Sequence, residues 1–496
     1  LFERVESFAL ADFNKFSTAS LITRSTNDIQ QIQMTSILLL RMALLAPIMA
    51  VGGLQKAIHN APDLSWIIAL AVSVLLVIIA VLFVIAVPRF KKLQTLVDKL
   101  NLVTRENLVG LKVIRAFHNE KIEQKKFQQA NTELNKMNLF VNRLMMLLDP
   151  IMTLVMNFSS VAIVWFGAHL ISSGNLQIGN MMAFLEYAMQ VIISFLLLSM
   201  VFIMVPRAAV SVKRVGEVLD TLPSIVDPQS PQQLPRHAMG KIEFKDVTFT
   251  YPDADLPVLS NLNFTAEPGQ TTAFIGSTGS GKSTLINLIP RFYDVSAGQI
   301  LLDGVDIRNL KLEDLYDQIG YVPQKGVLFS GTIASNIKYG NAKASQKLVE
   351  KSAKIAQAAE FISELKNGYK NDIAQGGSNV SGGQRQRLSI ARAIAVEPNV
   401  YIFDDSFSAL DFKTDAKLRL ALAKETKHKT VLIVGQRINT IMNADKIIVL
   451  DEGKIVGQGT HQELMKNCEV YQEIAASQLS EDDLQKMSAT TAKGAV

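Results

Sequence analysis

The sequence predicts an α-helical membrane domain followed by a soluble α/β domain. Three observations lead to this fold class. Only 19% of the 496 residues are charged, which is low for a water-soluble protein of this length. Four apolar stretches before residue 210 are long enough to cross a bilayer as helices. From residue 241 onward, short strand-like runs alternate with helical patterns, as they do in α/β domains.

The composition restricts the class of protein. The single cysteine, Cys468, excludes an internal disulfide and suits a cytosolic setting for the half that carries it. The net charge of +5 comes from basic residues scattered among acids, so nucleic-acid binding is not supported. Basic residues beside the apolar stretches indicate a membrane surface instead. The chain opens with Leu-Phe-Glu and no signal peptide, and we therefore expect an N-terminally truncated fragment.

The predicted membrane domain covers residues 1–219, with spans at 34–58, 66–87, 150–171 and 181–205. Arg89 and Lys92 follow the second span, and Lys213 and Arg214 follow the fourth, which places both of these ends in the cytoplasm. Residues 89–148 are amphipathic, so the second span is expected to continue as a long helix into the cytosol and to fold back. Two ionisable residues, Arg41 and Glu186, lie inside predicted spans. Each faces either a substrate cavity or a neighbouring helix.

The remaining segments differ in composition. Residues 220–240 are rich in proline and glutamine and are predicted to be a linker. The alternation that begins at residue 242 starts the soluble domain, which is predicted to run over residues 241–476. Residues 477–496 form a polar tail that is predicted to be disordered.

A glycine-rich loop organises the soluble domain. Residues 276–283 match the phosphate-binding pattern G-x-x-x-x-G-K-[ST], with a strand predicted before the loop and a helix after it. Lys282 is expected to reach the outer phosphates of a bound nucleotide, and the Ser283 hydroxyl is expected to contact Mg²⁺. The sequence therefore predicts that the chain binds ATP or GTP. The candidate nucleotide-binding residues of this segment are Gly276, Ser277, Thr278, Gly279, Ser280, Gly281, Lys282, Ser283 and Thr284.

An acidic pair follows a second buried strand. Residues 400–403 are apolar and are followed by Asp404 and Asp405. A carboxylate at the end of a strand beside a phosphate loop is where a nucleotide with bound Mg²⁺ needs one. Asp404 is therefore the predicted Mg²⁺ contact.

A second motif identifies a family. Val380, Ser381, Gly382, Gly383 and Gln384 form a segment that resembles the L-S-G-G-Q signature of the ABC transporter ATPases, with only Val380 different. The resemblance covers essentially the whole chain. Its membrane half is similar to the exporter type, which has six spans per half, so four of six expected spans are present. The resemblance thus implies an α-helical transmembrane domain fused to an α/β P-loop ABC ATPase domain.

The resemblance also implies roles for further residues. Tyr251 matches the aromatic residue that stacks on adenine, and Gln324 matches the glutamine that links Mg²⁺ to the membrane domain. Asp411 ends the loop that couples two nucleotide sites. Each ATP is expected to lie between the phosphate loop of one chain and the segment Ser381–Gln384 of a second chain, because a helix N-terminus attracts a γ-phosphate. For the signature segment, the alternative is a glycine C-cap between two helices.

Two positions depart from the family pattern. Asp405 stands where these ATPases usually carry a glutamate as general base, and its carboxylate is one methylene shorter. Gln436 stands where the family usually has histidine, and an amide cannot carry a proton or a positive charge. Loss of a positioned base costs about 10²–10⁴ in rate. We therefore expect Asp405, Gln436 and Gln324 to form a site that binds ATP and Mg²⁺ but hydrolyses ATP slowly.

The whole pattern resembles a bacterial multidrug half-transporter that works as a heterodimer. Its expected function is ATP-driven export of hydrophobic or cationic compounds across the cell membrane, with the nucleotide domain in the cytoplasm. A homodimer, a lipid or peptide exporter, and an ATP-binding regulatory subunit with little turnover are the alternatives. The expected partners are a second half-transporter, the lipid bilayer and a small hydrophobic substrate.

Overall fold

A computed structural model of the chain describes residues 1–478. The predicted polar tail therefore lies, beyond Gln478, outside the described residues. The chain forms two compact units. One contains Leu1 and Thr18–Asp220, and the other contains Phe2–Ser17 together with the described residues from Thr221 onward.

The first part of the chain is helical. Four of its helices are long and apolar enough to cross a membrane, namely those that contain the predicted spans. Apolar helices suit lipid because each satisfies its own backbone hydrogen bonds. A π-helical turn, Arg24–Asp28, lies between the third and fourth helices. The helices are α1 Phe2–Glu6, α2 Leu10–Asn14, α3 Thr18–Thr23, α4 Ile29–Asn60, α5 Ser65–Val109, α6 Leu111–Ala116, α7 Glu120–Met146, α8 Leu148–Ser172 and α9 Ile178–Asp220.

Helix α5 is longer than a bilayer requires. Its 45 residues extend about 68 Å, roughly twice the thickness of the hydrocarbon core. Helix α7 returns beside it, and Lys99 Nζ lies 2.8 Å from Glu133 Oε2 across the pair. The structure thus contains the extended and folded-back helix that the amphipathic pattern predicts.

Small residues allow the spans to pack closely. A Cβ atom at Gly53 of α4 would lie 3.0 Å from Val191 Cγ2 of α9, and Ala57 is fully buried near this contact. Close backbone approach of this kind is how helices associate in lipid. Arg41 on α4 and Glu186 on α9 are both exposed in the single chain, a placement that suits either a substrate cavity or a neighbouring helix.

The soluble unit contains a mainly parallel sheet and an antiparallel one. Its strands are β1 Ile242–Phe249, β2 Leu259–Ala266, β3 Thr271–Gly276, β4 Ala297–Leu302, β5 Val305–Asp306, β6 Ile319–Val322, β7 Gly331–Thr332, β8 Asp372–Ile373, β9 Val400–Asp404, β10 Thr430–Val434, β11 Lys446–Asp451 and β12 Lys454–Gly459. Its helices are α10 Lys282–Leu288, α11 Leu312–Asp317, α12 Ile333–Ile337, α13 Gln346–Ile355, α14 Ala359–Glu364, α15 Gly382–Ala395, α16 Phe412–Glu425, α17 Ile438–Ile441, α18 His461–Asn467 and α19 Glu469–Gln478.

The larger sheet has the order β12–β11–β3–β10–β9–β6, with β12 antiparallel to β11 and all other neighbours parallel. The four-stranded antiparallel sheet has the order β2–β1–β4–β5, and β7 and β8 form a separate antiparallel pair. One hydrophobic core joins the antiparallel sheet to α10, and a second is formed around α12, α13 and α15. Helices α18 and α19 pack on β3 and β11 and form a third hydrophobic core with them.

Residues Phe2–Ser17 pack with the soluble unit. Ala11 contacts the first core, and Asp12 Oδ2 accepts hydrogen bonds from the Ser224 N–H at 2.7 Å and from its hydroxyl at 2.9 Å. The Asn14 amide donates to the Tyr293 hydroxyl at 3.3 Å. These contacts depend on residues more than 200 positions away, which a local pattern does not reveal.

Candidate functional site

The candidate site lies along one edge of the parallel sheet. Strands β3, β10, β9 and β6 run in the same direction, so their carboxyl ends meet at this edge. The register pairs Phe274 with Val434 and Val434 with Asp404, which brings three strand ends level. Ligands of α/β sheets bind outside the carboxyl ends of the strands. The phosphate loop, Asp405, Gln436 and Gln324 follow strands that end here, and Asp404 is the last residue of β9.

The phosphate loop requires glycine at defined points. A Cβ atom at Gly276 would lie 2.0 Å from the carbonyl oxygen of Leu450, so no side chain fits there. Gly281 precedes α10 with φ of 94°, a left-handed conformation that favours glycine. The loop therefore turns tightly from β3 into the N-terminus of α10, which is the arrangement that cradles phosphate.

The Lys282 ammonium group is held by the loop itself. Its Nζ donates to the carbonyl oxygens of Gly276 and Ser277 at 2.9 and 2.7 Å and to Ser280 Oγ at 3.2 Å. Burial lowers the pKa of Lys282, and the carboxylates of Asp405 and Asp404 oppose that change. The charged amine is thus placed inside the loop, where incoming phosphate oxygens would replace part of its hydrogen bonding.

Of the three residues predicted to contact Mg²⁺, the structure brings Ser283 and Asp404 together. Ser283 Oγ donates to Asp404 Oδ1 at 3.2 Å, whereas Gln324 reaches Asp405. A hydroxyl and a carboxylate oxygen suit Mg²⁺, which takes few protein ligands and completes its shell with phosphates and water. No cluster of three or more His, Cys, Asp or Glu suited to a metal occurs in residues 1–478.

Asp405 is held by two amides. The side chains of Gln436 and Gln324 both donate to Asp405 Oδ2, at 2.9 and 3.4 Å. The backbone at Asp405 has φ of 44°, and its carbonyl oxygen accepts from the Ser408 hydroxyl at 2.9 Å. The carboxylate is therefore directed toward Gln436, and one of its oxygens already accepts two hydrogen bonds.

Both aspartates have raised pKa values. Burial is the main cause of the raised pKa of Asp404, and the Ser283 hydrogen bond and Lys282 oppose it. Burial also raises the pKa of Asp405 against the effects of Gln324, Ser408, Arg437 and Lys282. Each carboxylate is thus less stable as an anion than in water, and a bound cation at Asp404 would relieve that cost.

Tyr251 lies over the start of α10. Its hydroxyl shares a 2.9 Å hydrogen bond with Thr284 Oγ1, and its ring packs edge-on against Tyr293 at 5.3 Å and Phe249 at 4.9 Å. The structure thereby links the proposed adenine-stacking residue to the helix that carries Lys282. It also adds Tyr293, which the sequence did not single out.

The signature segment begins a helix. Ser381 caps α15, because its Oγ accepts from the Gln384 N–H at 3.2 Å while Gln384 Oε1 accepts from the Ser381 N–H at 2.9 Å. Gly382 and Gly383 are the first two residues of α15, so the alternative of a glycine C-cap does not describe them. The segment points free N–H groups outward from a 14-residue helix, as anion binding requires.

The signature and the phosphate loop belong to different parts of the soluble unit. Helix α10 packs in the first hydrophobic core and α15 in the second.

Asp411 has a structural role, because its carboxylate caps α16 by accepting a hydrogen bond from the Thr414 N–H at 2.9 Å. That hydrogen bond is the main cause of the lowered pKa of Asp411.

Comparisons with known proteins agree with this architecture. Residues 1–195 match the family described as ABC transporter transmembrane region, and residues 259–408 match the family described as ABC transporter. An uncharacterized ABC transporter ATP-binding protein of Mycobacterium tuberculosis is 43% identical over 485 residues, which are 96% of this chain and 82% of that protein. An ATP-dependent lipid A-core flippase of Syntrophus aciditrophicus is 34% identical over 493 residues, 97% of this chain and 80% of the flippase.

A solved structure shares the whole fold. The structure of a bacterial Atm1-family ABC exporter with ATP bound superimposes with a TM-score of 0.81 at 27% identity, over 97% of this chain and 84% of the exporter chain. Both the transmembrane region and the ATPase domain are thus matched in one protein. The chain belongs to the ABC transporter family, as an exporter-type chain that joins a transmembrane region to an ABC ATPase.

Proposed function

We propose that this chain is one half of a heterodimeric exporter and that its own phosphate-loop site binds ATP and Mg²⁺ but turns ATP over slowly. The observation that carries the proposal is the double hydrogen bond from Gln436 and Gln324 to Asp405 Oδ2. ABC exporters work as dimers in a membrane, so a weak site in one chain leaves a second site to drive transport. The nucleotide domain would lie in the cytoplasm.

The weakness of the site follows from the geometry of a general base. A base must accept a proton from the attacking water within hydrogen-bond reach. Asp405 is one methylene shorter than the usual glutamate, and one of its oxygens is occupied by amide donors. Gln436 hydrogen-bonds this carboxylate and carries no positive charge that could stabilise the γ-phosphate in the transition state.

The test restores the missing groups. In a Gly382→Asp background the partner's phosphate-loop site is blocked, so residual hydrolysis comes from the site built on Lys282. Adding Asp405→Glu together with Gln436→His should raise that residual rate by at least about tenfold, since a positioned base contributes about 10²–10⁴. ATPase activity of the purified complex is the measurement.

A matched control separates the base from the change at residue 436. The variant Asp405→Asn with Gln436→His has the histidine without a carboxylate and should show no gain. A residual rate that is already high in the Gly382→Asp background would contradict a weak site. An unchanged rate after restoration would place the cause of slow turnover elsewhere.

The composition of the complex tests the heterodimer directly. The full-length chain, carrying an affinity tag, should co-purify from its native membrane with a different half-transporter chain in equal amounts, as measured by mass spectrometry. Recovery of tagged and untagged copies of this chain alone would support a homodimer. An ATP-binding regulatory subunit is favoured by Asp405 and Gln436 and opposed by the capped signature helix, because that helix completes a site in a second chain.

Two substrate classes fit an exporter of this kind. We infer hydrophobic or cationic compounds as the first, since Glu186 and Arg41 are exposed in the single chain within the membrane helices. Lipid is the second, because a relative at 34% identity is a lipid A-core flippase. ATPase activity of the reconstituted complex should rise with hydrophobic cations for the first class and with lipids alone for the second.

A further inference from the structure

The loop that carries Gln324 lies against the signature helix α15. This loop, residues 323–326, directly follows β6. Within the described residues 1–478, its backbone makes no hydrogen bond to another backbone group. A segment without such bonds has many accessible conformations unless side chains restrict it. The position of Gln324 therefore depends on the side chains that hold this loop.

One buried side chain of α15 binds the loop at both ends. The Gln386 side-chain amide donates from Nε2 to the carbonyl oxygen of Pro323 at 3.2 Å, and its Oε1 accepts from the Gly326 N–H at 3.2 Å. Gln386 is only 3% exposed, so both polar atoms need partners within the protein. An amide has the donor and the acceptor that these two backbone groups require, whereas an apolar side chain has neither.

The contact between the loop and α15 leaves no room for a side chain at residue 326. A Cβ atom at Gly326 would lie 2.6 Å from Ser389 Oγ and 3.2 Å from Gln386 Oε1. The Ser389 hydroxyl is itself held, because it donates to the carbonyl oxygen of Arg385 at 3.1 Å. Glycine thus allows the backbone of the loop to approach the helix closely enough to reach Gln386.

The strand before the loop is fixed by other groups. The carbonyl oxygen of Val322, the last residue of β6, accepts from the buried Ser406 hydroxyl at 3.0 Å. The Tyr321 hydroxyl donates to Asn287 Oδ1 of α10 at 3.0 Å. These bonds stop one residue before the loop, so the loop itself is held by its contact with α15.

We propose that Gln386 is a positioning residue for Gln324. Its two hydrogen bonds fix the loop on α15 and so keep the Gln324 amide within reach of Asp405 Oδ2, at 3.4 Å. This distance exceeds the usual ~2.7–3.2 Å, so a small displacement of the loop would separate the two groups. The proposal rests on the proposed function for the role of Gln324 at the nucleotide site, and it adds a residue that lies outside that site.

Hydrogen exchange of the full-length complex tests the link itself. Gln386→Met keeps an unbranched side chain of similar length and removes both hydrogen bonds. Without nucleotide, the peptide that contains Gly326 should exchange at least about threefold faster, measured by mass spectrometry, because its N–H loses the acceptor. The matched control is Gln472→Met on α19, which removes the 2.9 Å bond from Gln472 Nε2 to the Met465 carbonyl oxygen and should leave that peptide unchanged.

Two results of this experiment would overturn the proposal. One is unchanged exchange at Gly326, and the other is equal acceleration throughout the soluble unit, which would mean that Gln386 only stabilises the fold. Gln386→Glu is a second variant, because burial favours its neutral carboxyl, which has one donor and one acceptor. Its acceleration relative to the parent should be smaller at about pH 6 than at about pH 8.

A double-mutant cycle tests whether the link acts through Gln324. The measurement is the residual ATPase rate in the Gly382→Asp background, which reports the site built on Lys282. Gln386→Met should lower this rate by roughly three- to tenfold and change the KM for ATP by less than about twofold, since Lys282 and Tyr251 are not altered. In Gln324→Ala, which already lacks the amide, Gln386→Met should lower the rate by less than about 1.5-fold.

The two proposals fail in different ways. Equal losses of rate with and without the Gln324 amide would overturn the positioning role, whatever the rate of the site. A residual rate that is already high in the Gly382→Asp background would contradict the weak site and would leave the cycle interpretable. With no measurable residual rate, the two-site assignment fails, and the exchange of Gly326 alone decides whether Gln386 holds the loop.

Discussion

At the level of single residues, the two aspartates at the end of β9 are held in different ways. Asp404 bonds the Ser283 hydroxyl and would contact a cation, whereas Asp405 bonds two amides. The difference follows from their backbone, because Asp404 is the last residue of the strand and Asp405 has φ of 44°. Adjacent carboxylates thereby face different partners, and under the proposed function Asp404 would serve Mg²⁺ while Asp405 would be a weak base.

The raised pKa of Asp404 leads to a prediction about stability and pH. Burial raises this pKa above its value in the unfolded chain, so the carboxylate destabilises the fold above the raised pKa, and the cost disappears as pH falls below it. Asp404→Asn should therefore melt at a higher temperature than the parent at pH 7.5 without nucleotide, by about 2–4 °C for each kcal/mol gained. The difference should shrink toward pH 4 and should reverse with ATP and Mg²⁺ present.

Asp411 gives a control of opposite sign. Its pKa is lowered, mainly by the Thr414 N–H, so its charge stabilises the fold above the usual pKa and loses that effect as pH falls. Asp411→Asn should lower the melting temperature at pH 7.5, and the loss should vanish in acid. If Asp404→Asn destabilised the protein at both pH values, the burial argument would be wrong.

At the level of secondary structure, an ion-pair cluster joins the π-helical turn before α4 to the C-terminal part of α9. Arg24 Nη1 lies 2.9 Å from Glu217 Oε2 and also donates to the Arg214 carbonyl. Asp28 accepts from Ser211 Oγ at 2.9 Å and lies 3.3 Å from Arg214 Nη1. Arg24 and Asp28 are only 9% and 6% exposed, so these charges depend on each other.

Removal of one charge from this cluster should loosen the helices. Asp28→Asn keeps an acceptor for Ser211 but leaves Arg214 without its carboxylate, at an expected cost of roughly 1–3 kcal/mol. The apparent melting temperature of the detergent-solubilised protein should fall accordingly. Asp98→Asn on the exposed side of α5 is the matched control and should change it little. Equal effects of the two variants would show that the cluster contributes nothing specific.

At the level of the whole molecule, each ATP site of the proposed exporter needs two chains. The phosphate loop lies on α10 in the first hydrophobic core, and the signature begins α15 in the second. This chain would therefore supply Lys282 to a weak site and Ser381–Gln384 to a strong one. Damage to the two segments should have unequal consequences.

The variants Gly382→Asp and Lys282→Ala test whether damage to the two segments lowers ATPase activity unequally. A Cβ atom at Gly382 meets nothing within 4 Å, and an acid in the first turn of a helix is favourable, so Gly382→Asp should fold normally. Its charge would repel the γ-phosphate held by the partner, and steady-state ATPase activity should fall by about 100-fold or more. Lys282→Ala should reduce activity only partially, through weaker closure of the dimer.

The measurement is ATPase and transport activity of the co-purified pair for both variants under the same conditions. Gly382→Ala is the control for bulk, since it adds a methyl group without a charge and should retain most of the activity. Equal abolition by Gly382→Asp and Lys282→Ala would mean two equivalent sites. The proposal of a heterodimer would then be wrong, and the chain would be explained as a homodimeric exporter.

The sequence by itself determined the features that depend on neighbouring residues. Long apolar runs specify helices in lipid because no other local structure satisfies the backbone there, and they indicated α4, α5, α8 and α9. The phosphate loop and the signature could be predicted because glycine and helix-capping residues are required within a segment of three to eight positions. The two hydrogen bonds between Ser381 and Gln384 are an example. The family followed from those same motifs.

Only the tertiary structure decided how distant segments meet. Gln436 and Gln324 are 31 and 81 residues from Asp405, and they reach one carboxylate oxygen because β10 and β6 each lie beside β9 in parallel register. The packing of Phe2–Ser17 on the soluble unit and the position of Gln478 beside Arg437 depend on contacts of the same long range. Sequence spacing carries no signal for such contacts, because strand order and register arise from the packing of the whole core.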